Sequence, residues 1–180
     1  MYGMIFSELR KYAEARLGAN GWETLLEKAG LKKYLYMTVG EYPDSEVVAL
    51  VSAASAVTGL PVPAVLEDFG MFIAPSLMLM YGHLLKPKWK ALDVIENTEG
   101  TVHTVVRTQH EGAKPPKLKT MRVSPEEVLL VYDSPRQMCS LAKGIGKGLA
   151  QHFKETLIIS EAKCMHKGAP RCEIHFRQQH

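Results

Sequence analysis

The chain has 180 residues and a mass of 20.0 kDa, which is long enough to bury one hydrophobic core but short for two, so we expect a single domain over residues 1–180. A net charge of +3, carried by scattered Lys and Arg residues, argues against a nucleic-acid partner. No apolar stretch reaches the length of a membrane span and no secretory signal begins the chain, which predicts a cytoplasmic protein with no membrane partner.

Residues 1–115 are predicted to be mostly helical. Apolar residues recur there at helical spacing, and Gly or Pro follows most of these segments. Asp44 or Ser45 is expected to cap the third helix, and Pro75 is expected to break a helix because proline lacks the backbone N–H donor. The predicted helices cover residues 4–17, 22–29, 44–58, 62–72, 77–85, 89–96 and 100–108.

Residues 116–180 are predicted to contain a small antiparallel sheet and one long helix. The predicted strands cover residues 118–123, 127–133, 156–164 and 171–176, and the helix covers residues 137–153. Gly144, Gly146 and Gly148 fall inside this helix without the spacing of a phosphate loop, so we interpret them as sites of close helix packing. Helices followed by a small sheet and one long helix predict an α+β fold.

Tyr132, Ser134 and Arg136 alternate at the end of an apolar strand. At strand spacing the first two point to the same face, and Arg136 joins them if the chain stays extended through Pro135. A phenol, a hydroxyl and a guanidinium would then converge on one spot, which suits a ligand with carboxylates or phosphates. The alternative is a turn in which Ser134 caps the next helix and Arg136 is solvated.

Several features occur in a characteristic order along the whole chain. They are the Met-Tyr-Gly-Met-Ile-Phe opening, Phe69-Gly70-Met71-Phe72, His103, Pro115-Pro116, and the Tyr132/Ser134/Arg136 motif, which begins 29 positions after His103. Their order and spacing resemble the heme nitric oxide/oxygen binding (H-NOX) family, in particular its standalone bacterial members. The resemblance implies an H-NOX-like fold with heme b in the cleft between the helical part and the sheet.

The resemblance also implies roles for individual residues. His103 would be the only protein ligand to the ferrous heme iron, Tyr132, Ser134 and Arg136 would hold the heme propionates, and Pro116 would press on the porphyrin. The alternative for His103 is a core or boundary histidine, because Val102, Val105 and Val106 surround it in the sequence. The alternative for Pro116 is a loop proline.

The expected gas selectivity rests on Leu141. Family members that hold dioxygen place a tyrosine nine residues after the motif tyrosine, and here that position is a leucine. We found no donor at the other expected pocket positions, so the resemblance implies a sensor that binds NO, and also CO, in preference to dioxygen. The expected pocket residues besides Leu141 are Ile5, Leu9, Phe69, Ile73 and Leu77.

The expected output is a signal rather than a reaction. In the family, NO weakens or breaks the bond between the histidine and the iron, which frees the helix that carries this histidine. The resemblance therefore implies a non-enzymatic sensor that acts on a separate partner, such as a sensor histidine kinase or a cyclic-di-GMP enzyme.

All three cysteines lie from position 139 onward, and an odd number argues against a disulfide framework. Cys139, Cys164 and Cys172 could bind zinc with Glu161 or His166 as the fourth ligand. Some bacterial H-NOX proteins have three cysteines and a histidine at such a site, and Glu161 stands where the histidine is expected.

Other functions for this region remain open at the level of sequence. One is a thiol or zinc redox switch for which heme is dispensable. Another is an enzyme related to the 4-vinyl reductase fold, although no acid/base pair is visible. Three unrelated cysteines are the remaining alternative.

Overall fold

The computed structural model describes residues 1–32, 35–110 and 112–179, and within them the chain forms seven α-helices and four strands. The helices are α1 (Gly3–Leu17), α2 (Gly21–Lys28), α3 (Asp44–Thr58), α4 (Val62–Tyr81), α5 (Ala91–Asn97), α6 (Thr104–Gln109) and α7 (Cys139–His152). The strands are β1 (Lys117–Ser124), β2 (Glu127–Asp133), β3 (Thr156–Lys163) and β4 (Cys172–Gln179). Short 3₁₀ turns cover Gly82–Leu84 and Met165–Lys167, and a π-helical turn covers Glu99–His103.

The strands form one antiparallel sheet in the order β1-β2-β4-β3. Val128 and Leu130 on β2 and Ile174 and Phe176 on β4 are buried, whereas the residues between them are only partly covered. Strand side chains alternate between the two faces, so this pattern defines one inner face, which packs against α5 and α7. The expected α+β fold, with helices first and a small sheet with one long helix after them, is confirmed.

The amino-terminal helices enclose a second buried cluster. Phe6, Leu9 and Leu25 are fully buried there, and the Phe6 ring stacks on Tyr36 with centroids 4.2 Å apart. α4 joins this cluster through Phe69 and packs against α7 on its other side. The two clusters therefore meet along the α4–α7 contact.

Glycines allow α4 and α7 to approach closely. A Cβ atom at Gly144 would collide with the backbone of Glu67, and one at Gly148 would collide with the Ala74 side chain. A Cβ at Gly70 would meet the backbone of α7 in the same way. The expected close helix packing is confirmed at Gly144 and Gly148, whereas a Cβ at Gly146 would collide with the Phe176 ring of β4.

The expected helix break at Pro75 is wrong, because α4 runs without interruption from Val62 to Tyr81. A proline at this position leaves the carbonyl of Met71 without its usual helical donor. That carbonyl faces α7, and its oxygen lies 2.9 Å from the place that a Cβ at Gly148 would occupy. Packing against α7 therefore outweighs the local cost of the proline.

The segment Val62–Leu84 also corrects the expectation that no stretch has the length of a membrane span. The stretch has 23 residues, and an 18-residue window within it has a mean hydropathy of 1.4, so it could cross a membrane by length and composition; a third of that window is buried inside the protein. A helix from a protein core has the same properties, and α4 packs against α1, α3 and α7.

Candidate functional site

A cavity of about 490 Å³ lies between the helical part and the sheet-containing part. Its lining comes from the amino-terminal end of α1, residues 41–44 at the start of α3, the end of α4, the start of α7, the segment from His103 through α6 to the loop before β1, and the end of β2 with the loop after it. Small-molecule and cofactor sites have volumes of roughly 300–1,000 Å³ and mostly apolar walls. The cavity has the size and character of a cofactor site.

The structure brings many of the expected site residues to this cavity and leaves others outside it. Those that line it are Ile5, Leu77, His103, Pro116, Tyr132, Arg136 and Leu141. Leu9, Phe69 and Ile73 do not line it and are packed in the amino-terminal core. Ser134 is buried behind the lining, with 2% of its surface exposed.

His103 ends a π-helical turn directly before α6. Its backbone N–H donates to the carbonyl of Thr98 at 3.0 Å, five residues earlier, instead of four. The Thr104 hydroxyl donates to the Glu99 carbonyl at 3.1 Å, across the same turn. Single π-helical turns occur often at functional sites, and this one places the half-buried His103 ring at the cavity.

The His103 ring is held in a form that can bind a metal. Its Nδ1 lies 2.9 Å from Oε2 of Glu99. Burial lowers the pKa of His103, although hydrogen bonds to Glu99 and to the Pro116 backbone oppose the shift. A neutral ring whose Nδ1–H donates to a carboxylate leaves Nε2 without a proton, which is the usual arrangement of a metal-binding histidine.

Glu99 is itself fixed by several donors. Arg107 donates to Oε1, and the backbone N–H of Leu118 donates to Oε2 at 3.2 Å. Burial alone would raise the pKa of Glu99, but the hydrogen bonds from His103 and Arg107 outweigh it and lower the pKa. Glu99 is therefore an ionised acceptor for His103.

Tyr132 and Ser134 shape the loop between β2 and α7. The Tyr132 hydroxyl accepts a hydrogen bond from the N–H of Met138 at 3.1 Å, and the Ser134 hydroxyl accepts one from the N–H of Arg136 at 3.3 Å. Burial raises the pKa of Tyr132, which keeps its hydroxyl protonated. Both hydroxyls thus support the backbone that presents Arg136.

Arg136 places a cation at the edge of the cavity. Its Nη1 donates to the carbonyl of Lys114 at 2.6 Å, and its Nε lies 2.9 Å from Oδ2 of Asp44. The buried Nε–H nevertheless makes no well-oriented hydrogen bond. The guanidinium therefore retains donor capacity for an anionic ligand such as a carboxylate.

Sequence reasoning missed Glu99 and the role of Asp44. Asp44 or Ser45 was expected to cap α3, but Pro43 is the capping residue, and Asp44 pairs with Arg136 and with the Met1 ammonium group, 2.7 Å from Oδ1. Burial alone would raise the pKa of Asp44, and these two cations lower it instead. The contact between Glu99 and His103 could have been predicted, because Glu99 lies four residues before His103 and thus on the same helical face.

Two tyrosines in the cavity lining were also missed. The Tyr2 hydroxyl is bonded to Nδ1 of His110 at 2.8 Å. Tyr81 lies one helical turn after Leu77, and within the described part of the chain its hydroxyl has no hydrogen-bond partner. Burial raises the pKa of Tyr81, so the hydroxyl stays protonated and can donate.

A second site lies where the start of α7 meets β3 and β4. The thiols of Cys139, Cys164 and Cys172 and a carboxylate oxygen of Glu161 all lie within 4.8 Å of one another. Cys164 Sγ is 3.9 Å from Cys139 Sγ and 4.0 Å from Cys172 Sγ. His166 does not join them, because its Nε2 is bonded to the carbonyl of Gln137 at 2.7 Å.

The distances in this cluster fit a tetrahedral zinc site. Zinc–sulfur bonds of about 2.3 Å place the sulfur atoms of a tetrahedron about 3.8 Å apart. Oε1 of Glu161 is buried without a hydrogen-bond partner, whereas Oε2 lies 3.6 Å from Nζ of Lys143, so Oε1 is the oxygen that could bind a metal ion. Burial raises the pKa of Cys139 and Cys172, so without a cation both thiols stay protonated, and zinc would favour their thiolates.

Comparison with known proteins was made for both sequence and structure. The model of the haem-NO-binding family matches residues 2–161. A search of curated proteins gave no match. Among solved structures, the H-NOX protein from S. oneidensis in the Fe(II)NO ligation state is 27% identical, with 100% of each chain covered and a TM-score of 0.93.

Two further structures agree with this result. The Shewanella oneidensis H-NOX domain in the Fe(II)CO ligation state, solved by NMR, is 27% identical over 99% of each chain with a TM-score of 0.88. The Fe(II) unliganded H-NOX protein from K. algicida is 20% identical, covers 100% of this chain and 97% of its own, and has a TM-score of 0.87, which supports the fold alone. Because the family model spans nearly the whole chain and the fold agrees, this chain belongs to the haem-NO-binding (H-NOX) family, whose domains bind heme.

Proposed function

We propose that this protein is a heme-dependent sensor of nitric oxide that regulates a separate partner. The single observation that carries the proposal is the cavity in which the neutral ring of His103 and the cationic Arg136 meet apolar walls. His103 would bind the ferrous iron of heme b, and the iron would supply the place where a diatomic gas binds. Arg136 would face a propionate, and Tyr132 and Ser134 would support its loop.

We propose that the protein favours NO, and also CO, over dioxygen. Leu141, Ile5 and Leu77 line the cavity and offer no hydrogen-bond donor. Dioxygen gains most from a donor beside the iron because it draws more negative charge than NO or CO does. Tyr81 is the one lining residue on α4 whose hydroxyl could weaken this selectivity.

The substitution Leu141→Tyr tests the gas selectivity. A hydroxyl at this position should donate to dioxygen and raise the oxygen affinity of the ferrous protein by about tenfold, which corresponds to a hydrogen bond of about 1.4 kcal/mol. The measurement is an oxygen titration followed by absorption, with a CO titration as the reference for a ligand that needs no donor.

The matched control for this titration is Tyr81→Phe, which removes the other hydroxyl. Selectivity that depends on the apolar residues should leave the oxygen affinity of Tyr81→Phe unchanged. A wild-type protein that already binds dioxygen stably, and loses it in Tyr81→Phe, would contradict the proposed selectivity and assign the donor to Tyr81.

We propose that loss of the bond between His103 and the iron is the signal. α6 begins directly after His103, so release of the ring frees this helix. The hydrogen bond between Tyr2 and His110 joins the residue before α1 to the residue after α6, which gives a direct route from the freed helix to the amino-terminal helices. A sensor histidine kinase or a cyclic-di-GMP enzyme in the cytoplasm would read the change, and the sensor itself would perform no catalysis.

The cysteine cluster supports a second function, a zinc site that holds α7 to the end of the sheet or acts as a redox switch. The carboxylate oxygen of Glu161 that has no hydrogen-bond partner favours the zinc site.

Replacing Glu161 with histidine should raise zinc affinity by about tenfold, because three cysteines and one histidine form a common structural zinc site. Competition with a chromophoric chelator measures the affinity, with Glu173→His on β4 as the control. Equal zinc affinity in both variants and the wild type would exclude position 161 as a ligand.

A further inference from the structure

The carboxylate of Glu99 has three hydrogen-bonding partners. One oxygen faces His103 and the backbone N–H of Leu118 at the start of β1, and the other accepts from Arg107 on α6. The carboxylate therefore connects the π-helical turn, the helix after it and the edge strand of the sheet. A glutamate with only a solvent-exposed role would not make these three contacts.

The backbone of Glu99 also contributes to the position of His103. Its carbonyl accepts from the Thr104 hydroxyl at 3.1 Å, which stabilises the wide turn in which His103 lies. Both the side chain and the main chain of Glu99 thus act on the ring that faces the cavity. His103 has 14% of its side-chain surface exposed, so its ring is largely enclosed by the protein.

A carboxylate that accepts from a metal-binding histidine has a known physical effect. It fixes the tautomer and the ring orientation, and it increases the basicity of the nitrogen that binds the metal. A more basic ligand forms a stronger bond to iron. In a sensor whose signal is the release of a histidine, the strength of that bond decides how readily the signal is given.

We propose that Glu99 is a positioning residue that fixes the tautomer of His103 and sets the strength of the bond between His103 and heme iron. Arg107 and the Leu118 amide serve to keep the Glu99 carboxylate in place. The inference rests on the proposed function and adds the residue that controls how easily His103 is released.

The test uses Glu99→Gln and Glu99→Ala in the heme-loaded protein. The iron–histidine stretching band of the ferrous protein, measured by resonance Raman spectroscopy, should shift to lower frequency in the glutamine variant and further in the alanine variant. The rate at which NO displaces His103 should rise by about tenfold in Glu99→Ala, since loss of such a partner typically costs 10- to 100-fold in metal affinity. Glu96→Gln is the matched control, because Glu96 pairs with Arg122 instead.

A second measurement needs neither heme nor a folded alanine variant. In the heme-free wild-type protein, ¹⁵N–¹H correlation spectra of the imidazole should show the proton of His103 on Nδ1. A proton on Nε2 would overturn the inference, as would an iron–histidine band and release rate that are the same in the wild type and both Glu99 variants. A wild-type ferrous protein with no iron–histidine band at all would overturn the proposed function together with this inference.

Discussion

Replacing His103 with glycine is expected to remove the proposed bond between the protein and heme iron, so the ferrous variant should lose the five-coordinate spectrum expected of the wild type. Added imidazole should restore that spectrum by entering the space that the ring leaves. Absorption of the ferrous protein with and without imidazole measures both effects. An unchanged spectrum without imidazole would exclude His103 as the ligand.

The fold is expected to survive this substitution. The ring is hydrogen-bonded to Glu99 and to the Pro116 backbone, and the Glu99 carboxylate keeps its bonds to Arg107 and Leu118 in the variant, so the cost in stability should be about 1–3 kcal/mol. His175→Ala is the matched control, because His175 forms a similar pair with Glu127 at 2.6 Å on the sheet, away from the cavity. The control should retain the wild-type spectrum.

Replacing Arg136 with alanine is expected to weaken heme retention by about 10- to 100-fold, since hydrogen bonds to charged groups contribute about 1.5–3 kcal/mol. The guanidinium has five N–H donors, and a propionate would use those that Lys114 and Asp44 do not occupy. Asp44 keeps the Met1 ammonium group in the variant, so it does not become an unpaired buried charge. The rate of heme transfer to apomyoglobin measures the loss.

Two variants make the Arg136 result specific. Ser134→Ala should have a smaller effect of about two- to tenfold, because the hydroxyl makes a neutral bond and lies behind the cavity lining. Arg122→Ala removes an arginine that pairs with Asp93 and Glu96, and it should leave heme retention unchanged. Equal loss in Arg122→Ala and Arg136→Ala would show a general effect on stability and not a bond to the propionate.

Local patterns in the sequence were sufficient for most elements of the fold. β2 has the bounds expected from its apolar run, Glu127–Asp133. β4 extends beyond the expected Phe176 to Gln179, because Arg177 to Gln179 pair with residues of β3 that no local pattern reveals. The continuous helix through Pro75 has a similar cause, since its support comes from α7.

Depth along a helix explains why some of the expected cavity residues lie outside the cavity. Ile5 and Leu9 share one face of α1, yet only Ile5 reaches the cavity, because Leu9 lies one turn deeper in the core. Phe69, Ile73 and Leu77 share a face of α4 in the same way, and only Leu77 lines the cavity. Periodicity predicts the face of a helix, but depth along that face depends on where the other elements pack.

The pairing of residues that lie far apart in the sequence could not be predicted from the sequence. Asp44 lies 92 positions before Arg136, and only the fold brings them to 2.9 Å. The cysteine cluster was partly predictable from its hairpin spacing, but the choice of Glu161 over His166 needed the positions of both side chains. The sequence shows which residue types could act as donors or ligands, and tertiary packing decides which of them lie close together.

One absorption experiment on the purified ferrous protein decides most directly whether His103 and the Tyr132/Ser134/Arg136 motif hold one heme. The spectrum is recorded without gas, under air and with NO. We expect a five-coordinate ferrous spectrum that air leaves unchanged over the time of the measurement and that NO converts to a new spectrum. A colourless protein that does not take up added hemin would contradict this account of the cavity.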